Sequence, residues 1–132
     1  MRIILLLIIT LFFSCTSDNE NENEQNSQTL NIKVEITNGE TVGNIIGIHT
    51  IYNQDQTENG TTLFAEEFIN PPFERNISVD KSPYGGRIYI NLTSHNDLDE
   101  MNLYINGEEV CSKSGHQPTS NSYYTLTCVY EY

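Results

Sequence analysis

Chemistry in a small protein needs ionisable or nucleophilic side chains brought close together, and the histidines are the first to weigh. His49, His95 and His116 stand in three different segments, none with a cysteine or carboxylate at the spacing of a zinc site. Asp97, Asp99 and Glu100 crowd the segment beside His95 and Asn96, an oxygen-rich group of the kind that holds calcium. They lack the alternating Asp-x-Asp-x-Asp-Gly order of a calcium loop, so a solvated loop is the better reading. Ser14 and Ser17 lie in the amino-terminal segment, and no other serine has a visible histidine partner. Asn59, Asn76 and Asn91 open glycosylation patterns that an asparagine-rich chain produces by chance. The sequence therefore predicts no enzyme: no catalytic residue, no metal and no cofactor.

The cysteines carry the clearest chemistry. Met1-Arg2 is followed by an almost wholly apolar run, Ile3 to Phe13, and then by Ser14-Cys15. One cation followed by about eleven apolar residues is the layout of a signal peptide, short of the roughly 18–20 residues of a lone membrane-spanning helix. Phe12-Phe13-Ser14-Cys15 resembles a bacterial lipobox, in which a small residue precedes the cysteine that receives lipid. Cys15 is the expected lipidation site, and its acyl chains the expected contact with the bilayer. Each buried methylene contributes about 0.8 kcal/mol, so two or more chains hold a protein on a membrane stably.

Thr16 to Thr29 contains no apolar residue and cannot bury surface to offset its ordering entropy. Residues 1–14 thus read as the signal peptide and 15–29 as a lipidated cysteine with a disordered acidic spacer. Within that spacer, Ser17-Asp18-Asn19-Glu20 resembles the lipoprotein export signal of Bacteroidetes, which directs lipoproteins to the outer face of the outer membrane. An outer-membrane, cell-surface location is expected, with a periplasm-facing one as the alternative.

From Leu30 onward the apolar residues recur with period two. Leu30, Ile32, Val34 and Ile36 alternate with polar neighbours, and Asn38-Gly39 signals a turn. Val42 to Tyr52 is β-branched and apolar, with Ile46, Ile48, Thr50 and Tyr52 on one face. Gln54 to Gly60 reads as a polar loop ending in Asn59-Gly60. Thr62 to Ile69 is shorter and less regular, and Pro71-Pro72 cannot donate to a ladder. Phe73, Arg75, Ile77 and Val79 mark the next strand, and Ser82 to Gly86 is a turn cluster. Ile88, Ile90 and Leu92 mark another strand, and Leu103-Tyr104-Ile105 leads into Asn106-Gly107, the strongest short-range hairpin signal. Val110 to Ser114 returns, and Tyr123 to Tyr132 supplies a last strand. Seven or eight strands without a helix predict an all-β domain over 30–132, an antiparallel β-sandwich or, with the same patterning, a small barrel.

Lipidation of Cys15 leaves Cys111 and Cys128 as an even pair in an oxidising compartment, so a disulfide is expected. The hairpin complicates its geometry. A two-residue turn at Asn106-Gly107 sets Leu103 opposite Val110, which puts Cys111 on the other face. Either the bridge lies on the outer face or a bulge shifts the register.

Leu103-Tyr104-Ile105-Asn106-Gly107-Glu108-Glu109-Val110 resembles a hairpin of the MmpS family, small accessory proteins of RND-type lipid exporters. Asn70-Pro71-Pro72-Phe73 is similar to the Pro-Trp segment of that family, and Tyr124 to Cys128 to its cysteine-bearing last strand. The similarity covers about residues 43–130. Phe73 stands in place of the tryptophan, and the family's earlier cysteine falls near Met101, not Cys111. The resemblance implies an immunoglobulin-like sandwich of about seven strands and a transporter as partner.

Charge and composition set the remaining bounds. The 132 residues carry a formal net charge of −12, which leaves nothing to neutralise a row of phosphates and excludes nucleic acid as a partner. Removal of residues 1–14 takes away Arg2 and leaves 118 residues at net −13. Among the tyrosines, Tyr84, Tyr89, Tyr104, Tyr123 and Tyr124 supply amphipathic rings, and Tyr89 and Tyr104 are the candidate contacts for an uncharged saccharide or protein partner. Two functional classes follow: an MmpS-like transporter accessory, or a surface module that binds glycan, host or another envelope protein. If the spacer is an export address, neutralising Asp18, Glu20, Glu22 and Glu24 together strands the protein on the periplasmic side. Protease shaving of intact cells then cuts the wild type and spares the variant.

Overall fold

The computed structural model describes residues 28–38, 42–94, 99–115 and 123–132. Cys15, the Ser17-Asp18-Asn19-Glu20 tract, His95, Asp97 and His116 lie outside the described residues. The described residues form eight strands and no helix: β1 (Thr29–Ile36), β2 (Val42–Tyr52), β3 (Glu58–Ile69), β4 (Phe73–Asp80), β5 (Gly86–Ser94), β6 (Glu100–Ile105), β7 (Glu108–Ser114) and β8 (Tyr124–Glu131). They make two antiparallel four-stranded sheets, ordered β4-β1-β6-β7 and β3-β2-β5-β8. The sandwich expected from the sequence is the architecture, with eight strands against about seven. Two separate sheets replace the barrel alternative. Only β2–β3 and β6–β7 are joined within one sheet, and the other connections cross between layers.

Period-two patterning gives each sheet one apolar face, and burying those faces against each other is the main stabilising term. In the first sheet Ile32, Val34 and Ile36 meet Ile105, Leu103 and Met101 across the β1–β6 ladder, all buried. In the second, β5 points Ile88, Ile90 and Leu92 inward and Arg87, Tyr89, Asn91 and Thr93 outward. The ladder to β5 fixes the parity of β2 and decides which of its faces turns inward. Ile45, Gly47 and His49 lie opposite Leu92, Ile90 and Ile88 and look inward, while Ile46 and Ile48 look outward. A Cβ on Gly47 would run into the Phe64 ring. Glycine at this position gives Phe64 its place in the core.

The irregularity of the Thr62–Ile69 pattern has two local causes. The β2–β3 register slips between Gly47 and Ile48, pairing Gly47 with Phe64 and Ile48 with Thr62, so Leu63 is an extra residue. Further on, Phe68 has a left-handed backbone (φ 55°) that breaks the alternation, leaving Phe68 72% exposed while Ile69 is buried. The β2–β3 loop is also shorter than expected. Asn59-Gly60 lies inside β3, paired with Ile51 and Thr50, and the chain reverses over residues 53–57 instead.

Asn106 and Gly107 do form the expected hairpin turn, with φ of 52° and 85°, the two left-handed positions such a turn requires. The cysteine register is settled by a bulge. Tyr104 pairs with Glu109 but Leu103 pairs with Cys111, so Val110 is the extra residue and Cys111 returns to the inward face. There it forms a disulfide with the fully buried Cys128 of β8. The bridge ties the edge strand of one sheet to the edge strand of the other. At the opposite edges, Arg75 of β4 and Glu66 of β3 form an inter-sheet ion pair from inward positions.

These two edge closures differ in strength. The disulfide spans 17 residues of sequence and is worth about 3 kcal/mol in loop-closure entropy, whereas a partly exposed ion pair is worth about 0–1 kcal/mol. Urea unfolding of the Cys111→Ala/Cys128→Ala protein is therefore expected to show a loss of about 3 kcal/mol, and that of Glu66→Gln less than about 1 kcal/mol.

Candidate functional site

The two tyrosines singled out from sequence sit on opposite outer faces of the sandwich. Tyr104 lies on the β4-β1-β6-β7 sheet beside Lys33, whose Nζ stands 4.3 Å from the ring centroid. Lys33 also pairs with Glu35 at 2.7 Å, and Glu35 accepts a hydrogen bond from the Tyr104 hydroxyl, which raises the phenol pKa. The Lys33 hydrogen bond in turn lowers the Glu35 pKa. One face of the Tyr104 ring is thus already covered by the protein's own cation. Tyr89 lies on the other sheet in a row with Thr62, Ile48 and Val129. The fold does not bring the two rings together.

What the fold does bring together is a pair of turns at one end of the sandwich. Strands β2 and β5 are hydrogen-bonded neighbours, so the loop after β2 and the turn before β5 meet there. Between them is a pocket of about 410 Å³ lined by Tyr52, Asn53, Gln54, Gln56 and Tyr84. Sequence reading placed Gln54 in a loop and Tyr84 in a turn, but no local pattern joins segments some thirty residues apart. The amide-rich run Tyr52-Asn53-Gln54-Asp55-Gln56 was the one available signal.

Both turns are internally fixed. In the first, Asn53 N–H donates to Thr57 O at 3.0 Å and Gln56 N–H to Asn53 O at 2.9 Å. Asp55 Oδ1 accepts from the Thr57 hydroxyl at 2.7 Å and from Thr57 N–H at 3.1 Å, and these donors hold its carboxyl below the usual range. In the second, Ser82 Oγ donates to Tyr52 O at 2.7 Å and accepts from Tyr84 N–H at 3.2 Å. Tyr52 N–H donates to Gly85 O at 3.0 Å, joining one turn to the other. Gly85 has φ +93°, and a Cβ there would meet the Tyr132 carbonyl oxygen at 2.9 Å and the Tyr52 ring at 3.4 Å, so a side chain would be both strained and crowded.

A polar pair joined to the second turn through Gly86 lies partly inside the sandwich. His49 is 7% exposed on the inward face, and its Nε2 lies 2.6 Å from the Tyr132 hydroxyl. The backbone of Tyr132 exchanges both hydrogen bonds with Gly86. A Cβ on Gly86 would meet the Tyr132 hydroxyl at 2.6 Å, so glycine is what lets that side chain cross over to His49. Burial lowers the His49 pKa and raises that of Tyr132. His49 is thus a packed core histidine.

The pocket lining carries no charged side chain. It offers two phenol rings and three amides, groups that bind by stacking and hydrogen bonding. Two other grooves are chemically different. One, on the face of the β4-β1-β6-β7 sheet, is lined by side chains that already bond each other, as Ser78 Oγ does to Asn31 Oδ1 at 2.8 Å. The other, on the opposite sheet, includes Glu66 and Glu67. Of the possible calcium cluster, Asp99 is buried and Glu100 accepts from Asn38 Nδ2 at 3.0 Å. Among the described residues no three His, Cys, Asp or Glu side chains gather at metal-binding distance. The chain matches no family model and no curated protein sequence.

The His49 pair makes stability depend on pH. Its folded-state pKa lies below the unfolded value near 6.5, so the unfolded chain binds more protons as pH falls through that window. Stability is expected to be full above about pH 6.5 and to decline below it by up to about 1.4 kcal/mol per pH unit, until the folded pKa is passed. Chemical denaturation of wild type and His49→Gln across this range checks it, because only the wild type carries this component of the slope.

Proposed function

We propose that the protein is a bacterial envelope lipoprotein, held on the membrane through acylated Cys15, whose sandwich is a non-catalytic binding module. The observation that carries this reading is the uncharged pocket at the end of the sandwich, built from two turns that are tied to one another before any ligand arrives. Small-molecule sites favour such preformed concave places with a few converging polar groups. The apolar run before Cys15 and the polar tract after it support the anchor. With the anchor supplied by lipid, the domain needs no membrane-binding surface of its own. The acidic spacer supports display on the outer face of the outer membrane.

A second reading, accessory of an RND-type transporter, is favoured by the Asn106-Gly107 hairpin and by Cys128 on the last strand, the features that resemble the MmpS family. The two readings differ in what co-purifies. Crosslinking in whole cells recovers a large permease in the accessory case and none in the surface-module case.

The anchor has its own test. Replacement of Cys15 by Ala is expected to shift the protein from the membrane pellet and detergent phase to the soluble fraction. Unchanged partitioning would overturn the lipoprotein reading.

A further inference from the structure

We propose that the pocket between the residue 53–57 turn and the Ser82–Gly86 turn binds a neutral saccharide, an assignment that rests on the binding-module reading above. A sugar ring has an apolar face of C–H groups and a rim of neighbouring hydroxyls, each both donor and acceptor. The pocket has the complementary parts. Tyr84 is 52% exposed and offers a ring face for the C–H side. The backbone of Tyr52 is held on both sides, its N–H donating to Gly85 O and its carbonyl accepting from Ser82 Oγ. The exposed Gln54 and Gln56 each carry a carbonyl and an NH2 group side by side, so one amide can accept from one hydroxyl and donate to the next. Asn53 gives its Nδ2 to Thr57 Oγ1 at 2.9 Å and keeps its Oδ1 as an acceptor.

Other ligand classes fit less well. A phosphate, uronate or peptide carboxylate finds no cation in the lining, and nearby Arg87 is engaged by Glu58 at 3.1 Å. The net charge of −12 repels anions as a class. A peptide strand needs an open ladder edge, whereas Tyr52 N–H and Asn53 N–H are already bonded to Gly85 and Thr57. The volume of about 410 Å³ falls in the range of roughly 300–1,000 Å³ of small-molecule sites. Because the backbones of both turns are fixed in advance, the ordering cost of binding falls on the exposed side chains alone.

The test is titration calorimetry on the full chain in a zwitterionic detergent without sugar head groups. The probes are cellohexaose, maltohexaose, mannohexaose and xylohexaose, with hexagalacturonate as the anionic control. At least one neutral hexaose is expected to bind with Kd of about 0.1–1 mM, as suits a small open site. Tyr84→Ala and Gln54→Ala should each weaken that binding about tenfold or more, while Tyr84→Phe keeps most of it. The Tyr89→Ala/Tyr104→Ala protein should bind like the wild type. Thermal melts of each variant separate lost binding from lost folding, and Tyr84 and Gln54 are exposed enough to leave the fold intact. Absence of saturable heat from every neutral hexaose at about 10 mM, or tighter binding of hexagalacturonate, would overturn the assignment. Binding that survives Tyr84→Ala and Gln54→Ala but is lost in Tyr89→Ala/Tyr104→Ala would overturn this pocket while leaving a binding module standing.

Discussion

The two sheets of this domain are held at one edge by a bond that exists only because β7 carries one residue too many. Counting out from the Asn106-Gly107 turn with perfect pairing puts Cys111 on the solvent side, away from β8. The extra residue, Val110, reverses the parity, so Leu103 faces Cys111 and the sulfur points between the sheets toward Cys128. Val110 itself packs against the core, so the bulge keeps an apolar contact while redirecting its neighbour. The inward rows of β1, β6, β5 and β8 meet through burial of their apolar faces, and the bridge adds a covalent tie between the two edges.

The opposite edge is managed by similar local devices and weaker chemistry. The extra Leu63 in β3 and the left-handed backbone at Phe68 both interrupt alternation in an edge strand, where a regular ladder would invite another chain to pair. Phe64 fills the space over Gly47, and an ion pair between Arg75 and Glu66 spans the gap where side chains begin to meet water. Arg75 occupies an inward position of β4 that Ile77 and Val79 fill with hydrocarbon further along. A charge is tolerated there because the position is at the rim and has a partner on the facing sheet.

At one end of the sandwich the packing reaches the surface through a chain of small accommodations. Gly86 lets Tyr132 cross to His49, the Tyr132 backbone holds Gly86, Gly85 O accepts from Tyr52 N–H, and Ser82 ties Tyr52 to Tyr84. The uncharged pocket sits on this frame. Loops supply most binding sites because a rigid scaffold can hold them while leaving their side chains free to vary. Here the scaffold extends into the turns themselves, through hydrogen bonds that each stay within one turn or cross to its neighbour.

Sequence alone determined the elements apart from the start of β3: that the domain is all-β, where the other strands run, that Asn106-Gly107 turns the chain, and that Cys111 and Cys128 are available to pair. These are local properties, set by period-two burial, by glycine and asparagine at left-handed positions, and by the count of cysteines. Tertiary structure decided parity and proximity. The inward face of β2 could not be read from its own residues, because Ile46 and Ile48 are as apolar as Ile45, and only pairing with Leu92, Ile90 and Ile88 chooses between them. Tyr89 and Tyr104 looked equivalent as outward rings, yet strand order put them on different sheets. Tyr52 and Tyr84 carry no shared pattern, and they meet because β2 pairs with β5 across a long stretch of chain. A strand's period records that one of its faces is buried; which face, and beside which neighbour, is set by contacts between residues far apart in sequence, and a local pattern holds no record of those.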